Sequence, residues 1–166
     1  MRLLPMRQIG FLLSFLFCGW TAAGAAAPPR SGQPAPQIDG LYSSGGTFRL
    51  FALRGKAVYL NFFATWCPPC NDEAPDVNAL QKKYRKRGLV VLGVDALENA
   101  GKANEFVHKF NLSYKAVADP QGQIRDAYGI NALPVHVFID RRGKIKLYRM
   151  GQMNKSEIEA AIKSIL

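Results

Sequence analysis

Residues 58–70 restrict the fold of this chain more than any other stretch. Val58-Tyr59-Leu60-Asn61-Phe62-Phe63 is an apolar run with a single amide in it. Its length suits a strand, and the absence of polar alternation marks a strand buried on both faces, as in a parallel sheet with helices on each side. Ala64-Thr65-Trp66 follows, and then Cys67-Pro68-Pro69-Cys70 opens a helix-like segment. Prolines are tolerated in a first helical turn, where the N–H groups have no partner in any case. A central strand joined this tightly to a helix sets Cys67 at the helix mouth. Unpaired N–H groups and the helix dipole favour negative charge there. A free thiol titrates near ~8.5, and such a setting brings it to about 3.5–7.5. Cys67 therefore reads as a nucleophile and Cys70, one turn on, as a resolving thiol.

A lone Cys-x-x-Cys also fits half of a zinc site or a structural disulfide. Zinc needs two more ligands. The remaining cysteine, Cys18, lies in a leader-like segment, and His108 and His136 are not at paired spacing. A copper-handling reading is also available, with Cys67, Cys70 and His136 as ligands, because soft thiolates suit Cu(I). The strand–Trp–Cys–helix context favours the redox pair over these.

The first thirty residues differ in composition from the rest. Arg2 and Arg7 form a positive n-region, Ile9 to Trp20 an apolar h-region, and Ala23-Gly24-Ala25 fits a small-residue cleavage site. Residues 1–27 are read as a secretory signal peptide; the stretch from Ile9 to Ala27 is also just long enough for an uncleaved membrane anchor. Cys18 belongs to the h-region. Export argues against nucleic acid as the reason for the net charge of +10. Of 22 basic residues, losing Arg2 and Arg7 leaves 20 against 12 acidic, about +8. That balance suits an anionic surface, an acidic partner or simple solubility. At 166 residues and 48% hydrophobic, the chain makes one domain with its own core, and a monomer is expected.

Residues 28–37, with prolines at 28, 29, 34 and 36, read as a linker, and 38–166 as the folded domain. Ile38 to Tyr42 and Thr47 to Leu50 form a candidate hairpin. A helix over Cys67 to Arg87, kinked at Pro75, buries Ala74, Val77 and Tyr84 and ends at Gly88. Leu89 to Val94 is a second buried strand, ending at Asp95. Asn99 to Phe110 is a helix with an apolar stripe at Ala103, Phe106, Val107 and Phe110, and His108 lies off it. A short strand over Tyr114 to Ala118, a turn at 119–122 and a short helix over Gln123 to Tyr128 follow. Val135 to Asp140 and Lys144 to Tyr148 flank a turn, and Ser156-x-x-Glu159 reads as the capping box of the last helix. Strands alternating with helices predict a three-layer α/β/α sandwich with a mixed central sheet and an N-terminal hairpin extension.

Asn61-Phe62-Phe63-Ala64-Thr65-Trp66-Cys67-Pro68-Pro69-Cys70 resembles the signature of the TlpA-like thiol–disulfide oxidoreductases of bacterial envelopes, of the ResA/CcmG type, within the thioredoxin superfamily. Leu53-Arg54-Gly55-Lys56, Pro75 and Pro134 extend the resemblance over residues 34–166. It implies a thioredoxin fold and thiol–disulfide exchange with no soluble cofactor and no metal. It implies a Cys67/Cys70 redox couple, with an acid, Glu73, near the buried thiol. Burial would raise the pKa of Glu73 so that it takes the Cys70 proton. Asn61 stands where thioredoxin carries an aspartate, so protons must move by another route.

The same resemblance makes Pro134 a cis-proline that sets the Leu133 backbone beside Cys67, where an extended substrate pairs with it. Trp66, Pro68, Pro69, Leu133 and Pro134 are the expected substrate-binding residues. Where the family carries two threonines after this proline, the chain has Val135 and His136. His136 either tunes a thiolate or packs as a strand residue, and packing is the simpler reading. The resemblance also implies a periplasmic or envelope reductase of apocytochrome c or copper-site cysteines, re-reduced by a membrane thiol donor.

Overall fold

The structure, a computed structural model, describes residues 27–166. The expected leader with Cys18 and its cleavage site lies outside the described residues, which begin at Ala27. Seven strands and four α-helices follow. They are β1 (Asp39–Leu41), β2 (Thr47–Arg49), β3 (Ala57–Phe63), α1 (Pro68–Tyr84), β4 (Leu89–Ala96), α2 (Ala100–Lys109), β5 (Lys115–Asp119), α3 (Gln123–Ala127), β6 (Val135–Ile139), β7 (Ile145–Met150) and α4 (Lys155–Ile165).

Five strands make one mixed sheet in the order β5-β4-β3-β6-β7. β3, β4 and β5 run parallel, and β6 and β7 add antiparallel to them. β3 is the middle strand, and all seven of its residues are buried. That is what its continuous apolar run requires, because water reaches neither of its faces.

Alternate residues of β3 serve two cores. Val58, Leu60 and Phe62 meet Val135, Val137 and Ile139, the hairpin's Phe48 and, beyond α3, Tyr128 and Ile130. Tyr59 packs with Val77, Leu80 and Tyr84 of α1 and with Ile158 and Ile162 of α4. Phe63 stacks on Phe106 of α2 at 4.2 Å between ring centroids. Helices α1, α2 and α4 therefore cover one face of the sheet, and the β1–β2 hairpin with α3 covers the other. This is the three-layer thioredoxin fold.

Two local expectations are corrected. The proline-rich segment is docked, not a free linker. The Gly32 N–H donates to Ile145 O, the Ile145 N–H to Gln33 O and the Ala35 N–H to Gly143 O, while Ala35 and Ile38 enter the core. Prolines 34 and 36 are compatible with this because an edge segment offers only alternate N–H groups to its neighbour. The capping box of α4 is Asn154 with Glu157, two residues before the expected pair. Ser156 instead donates to the Asn154 side chain, and Glu159 accepts from Tyr84 and Lys83. Asparagine caps as well as serine, so the motif can be read in either frame. Elsewhere the boundaries shift by a residue or two. The last turn of the cysteine helix tightens to a 3-10 turn over Arg85–Arg87 before Gly88, whose φ of 92° ends it.

Candidate active site

β3 ends at Phe63, and Ala64-Thr65-Trp66 turns the chain into α1. This turn is clamped from outside. Glu98, just beyond β4, accepts from the Thr65 N–H at 2.6 Å and from the Thr65 hydroxyl at 2.7 Å. The Asn71 amide donates to Thr65 O and Cys67 O from the other side. Cys67 is the N-cap of α1, with extended backbone (φ −86°, ψ 107°), and its sulfur accepts the Cys70 N–H at 3.3 Å. A helix-opening sulfur with a donor aimed at it is the setting that stabilises a thiolate. Pro68 and Pro69 occupy the first helical positions.

The two cysteines form a disulfide. They are 3% and 4% exposed, whereas Trp66 beside them is 68% exposed. The indole thus lies open at the lip of the site, and the sulfurs are sheltered by Ala64, Ala74, Phe106 and Leu133. The Leu133–Pro134 bond is cis, as the resemblance implies. Leu133 packs on the cluster that holds the disulfide. It also lines a groove of about 120 Å³ with Trp66, Ala96, Leu97, Ile130 and Arg125. The groove is mainly apolar, with the Arg125 guanidinium and the Asn131 amide as its polar lining, and the cysteine pair follows Trp66 at one end.

Glu73 lies three residues after Cys70 on the same face of α1 and is only 4% exposed. Burial raises its carboxyl from 4.5 to about 7, although the Met153 N–H bonded to Oε1 works against that rise. The Asp72 and Glu157 carboxylates raise it further. Oε2 faces Nε2 of His136 at 3.5 Å, and among the described residues neither atom has another partner.

His136 is fully buried on β6. Its Nδ1 lies 2.7 Å from the Tyr59 hydroxyl, which also accepts from the Asn61 amide at 3.4 Å. Burial depresses the imidazole to about 4 and pushes the Tyr59 phenol well above its ordinary range. At neutral pH the ring is therefore uncharged and the phenol keeps its proton.

Both nitrogens of His136 are turned to Glu73 and Tyr59, so a copper site of Cys67, Cys70 and His136 is not assembled. Among the described residues no group of three or more His, Cys, Asp or Glu side chains is placed to hold a metal ion. His108 is exposed on α2, as expected.

Three residues at or near the site escape the sequence reading. Glu98 looks like a loop acid. Tyr59 looks like a core aromatic. Asp95 looks like a strand terminator, yet it is fully buried inside β4, and among the described residues the only group that acts on its carboxyl is the neighbouring Glu98. Burial and the neighbouring Glu98 raise Asp95 to about 9, so it is held protonated. The one available signal was charge next to apolar strand ends, which does not distinguish a buried acid from a surface one.

Known proteins are similar to this chain in sequence and in fold. The thiol-disulfide oxidoreductase ResA of Geobacillus thermodenitrificans is 35% identical over 98% of this chain and 95% of its own. The solved thiol:disulfide interchange protein of the thioredoxin family from Chlorobium tepidum superposes with a TM-score of 0.73 at 30% identity. That match covers 84% of this chain and 99% of the other. A secreted Mycobacterium tuberculosis disulfide oxidoreductase gives 0.71 at 26% identity, over 77% and 96%. The family model described as AhpC/TSA matches residues 31–148. With a helix-capping cysteine pair and a cis-proline on a thioredoxin fold, and with these relatives, the chain belongs to the AhpC/TSA family of thioredoxin-like proteins and is a thiol–disulfide oxidoreductase.

Proposed function

We propose that the protein is an exported reductase of protein disulfides. Its substrates are cysteine pairs that must stay reduced, such as those of apocytochrome c haem sites or copper sites. The observation that carries this reading is the buried Glu73 one turn beyond Cys70. A reductant must free itself from its mixed disulfide, and that needs a resolving thiol that can lose its proton inside the protein.

The steps balance without a cofactor. The Cys67 thiolate attacks one sulfur of the substrate disulfide; a Cys67–substrate bond forms and the substrate S–S bond breaks. The expelled sulfur takes up a proton. Cys70 then passes its proton to the Glu73 carboxylate and attacks Cys67. The Cys67–Cys70 bond forms, and the second substrate thiol leaves. Two electrons have moved from this protein to its substrate, and a membrane thiol donor restores them. A carboxyl raised to about 7 accepts and returns such a proton with little free-energy cost near neutrality.

The groove beside Leu133 and the cis-proline suits an extended segment, with the Trp66 ring and Pro68–Pro69 as the apolar surface it meets. Export rests on the leader pattern of residues 1–27 and on the secreted relative. Among the described residues no helix is long and apolar enough to cross a membrane.

The test is the midpoint potential of the Cys67/Cys70 couple, together with reduction of an oxidised peptide carrying Cys-x-x-Cys-His. A reductase is expected near the thioredoxin end of the range, about −270 mV, and to reduce the peptide. A potential near about −120 mV would mark an oxidant and end this reading.

A further inference from the structure

We propose that His136 is a positioning residue of the exchange reaction: fixed by Tyr59, its Nε2–H holds the Glu73 carboxylate in place for Cys70. The inference rests on the proton role given to Glu73 above. It begins from two buried polar atoms that have only each other. Glu73 Oε2 and His136 Nε2 stand 3.5 Å apart, and among the described residues neither has a hydrogen-bond partner, while the Gly151 backbone also acts on the imidazole and favours its charged form. Two lone pairs facing each other in a dry interior would repel, so one proton must lie between them.

Tyr59 decides which atom carries it. Its hydroxyl is 2.7 Å from Nδ1 in a fully buried setting. The Asn61 amide donates to the same oxygen and so leaves the phenol hydrogen free to point at Nδ1. Nδ1 is then the acceptor, and a neutral imidazole must carry its hydrogen on Nε2, aimed at Glu73. The carboxylate thereby has one donor on each oxygen, the Met153 N–H on Oε1 and His136 on Oε2. Those two donors come from opposite walls, the segment before α4 and strand β6, and they fix the plane of the carboxyl group.

β3 and β6 place Asn61 and His136 directly opposite each other, so Tyr59, Asn61 and His136 share the face that α1 covers. The other titratable groups that act on this pair are Asp72 on α1, Glu157 on α4, Tyr114 before β5 and Arg149 on β7. None of them supplies a hydrogen bond to Oε2 or Nε2.

The experiment compares the pH profile of single-turnover peptide reduction in the unmodified protein, Glu73→Gln, His136→Leu and His136→Gln. The unmodified protein should show an inflection near the Glu73 value of about 7, and Glu73→Gln should lack it. His136→Leu removes a donor to a charged group and should move the inflection up by about one to two pH units. His136→Gln keeps both a donor and an acceptor and should restore it. If Glu73→Gln keeps the inflection, the proton role of Glu73 fails, and with it this inference. If Glu73→Gln abolishes it while His136→Leu leaves it in place, the proton role stands and the positioning role is overturned. Equal displacement in both His136 variants also overturns it, because that is the mark of packing alone. The ¹⁵N spectrum of the unmodified protein needs no variant to fold. It should show Nε2 protonated and Nδ1 bare at neutral pH, and the reverse tautomer would contradict the proposal.

Discussion

With serine in place of Cys67, reduction of a protein disulfide should fall by about a thousandfold or more, roughly 4 kcal/mol of barrier. A serine hydroxyl at the N-cap still accepts the Cys70 N–H, so the opening of α1 is kept. Serine does not ionise near neutrality and forms no bond to sulfur, so the first step has no nucleophile. Cys70 does not replace it, because it lies within the first turn of α1 and not at the N-cap, where the Cys70 N–H is aimed at the Cys67 sulfur. The control is Cys70→Ser, which also lacks the internal disulfide. That variant should still form a mixed disulfide through Cys67 and then stall, since nothing resolves it. Single-turnover assays of the two variants separate lost chemistry from lost cross-linking. A Cys67→Ser protein with more than a tenth of the original rate would contradict the assigned order of attack.

The second large effect is on stability. Glu73 titrates at about 7 in the folded protein against 4.5 ordinarily. Between those values the folded state binds the proton and the unfolded state does not, so stability falls as pH rises through this window. A tenfold change in the ionisation constant is worth about 1.4 kcal/mol, which makes the loss on the order of 3 kcal/mol. Glu73→Gln has no charge to bury. Its stability relative to the unmodified protein should therefore grow from below pH 4.5 to above 7 by about that amount. Asp95 is present in each protein and cancels in the comparison, and His136, at about 4 when folded, is already uncharged in the folded state across this window. Denaturant unfolding of the oxidised proteins across this range measures it. Parallel curves would show that the carboxylate is not desolvated.

The parts of this account that sequence carries are those with short range. The continuous apolar run at 58–63 could be only a buried strand, and two prolines between two cysteines could only open a helix. Glu73 was legible as well, because a spacing of three on a helix needs no knowledge of the rest of the fold. His136 was placed correctly as a packed strand residue, but its partners were not visible. Tyr59 lies 77 positions away, and only the β3–β6 pairing, with Asn61 opposite His136, brings its hydroxyl within reach of the ring. Asp95 misled for a related reason. A strand that ends in an acid normally ends at water, and here the strand continues to Ala96 between Phe63 and Ala118. The proline-rich segment misled because composition reports what a chain cannot do in a sheet interior and is silent about docking along an edge.

The most direct test of the whole account is the ionisation of Cys67 in the fully reduced protein, followed by thiolate ultraviolet absorbance in a Cys70→Ser background. A sulfur at the mouth of α1 should titrate below about 7.5 and be mainly anionic at neutral pH. A midpoint at or above about 8.5, the value of an unassisted thiol, would leave the exchange chemistry without its nucleophile.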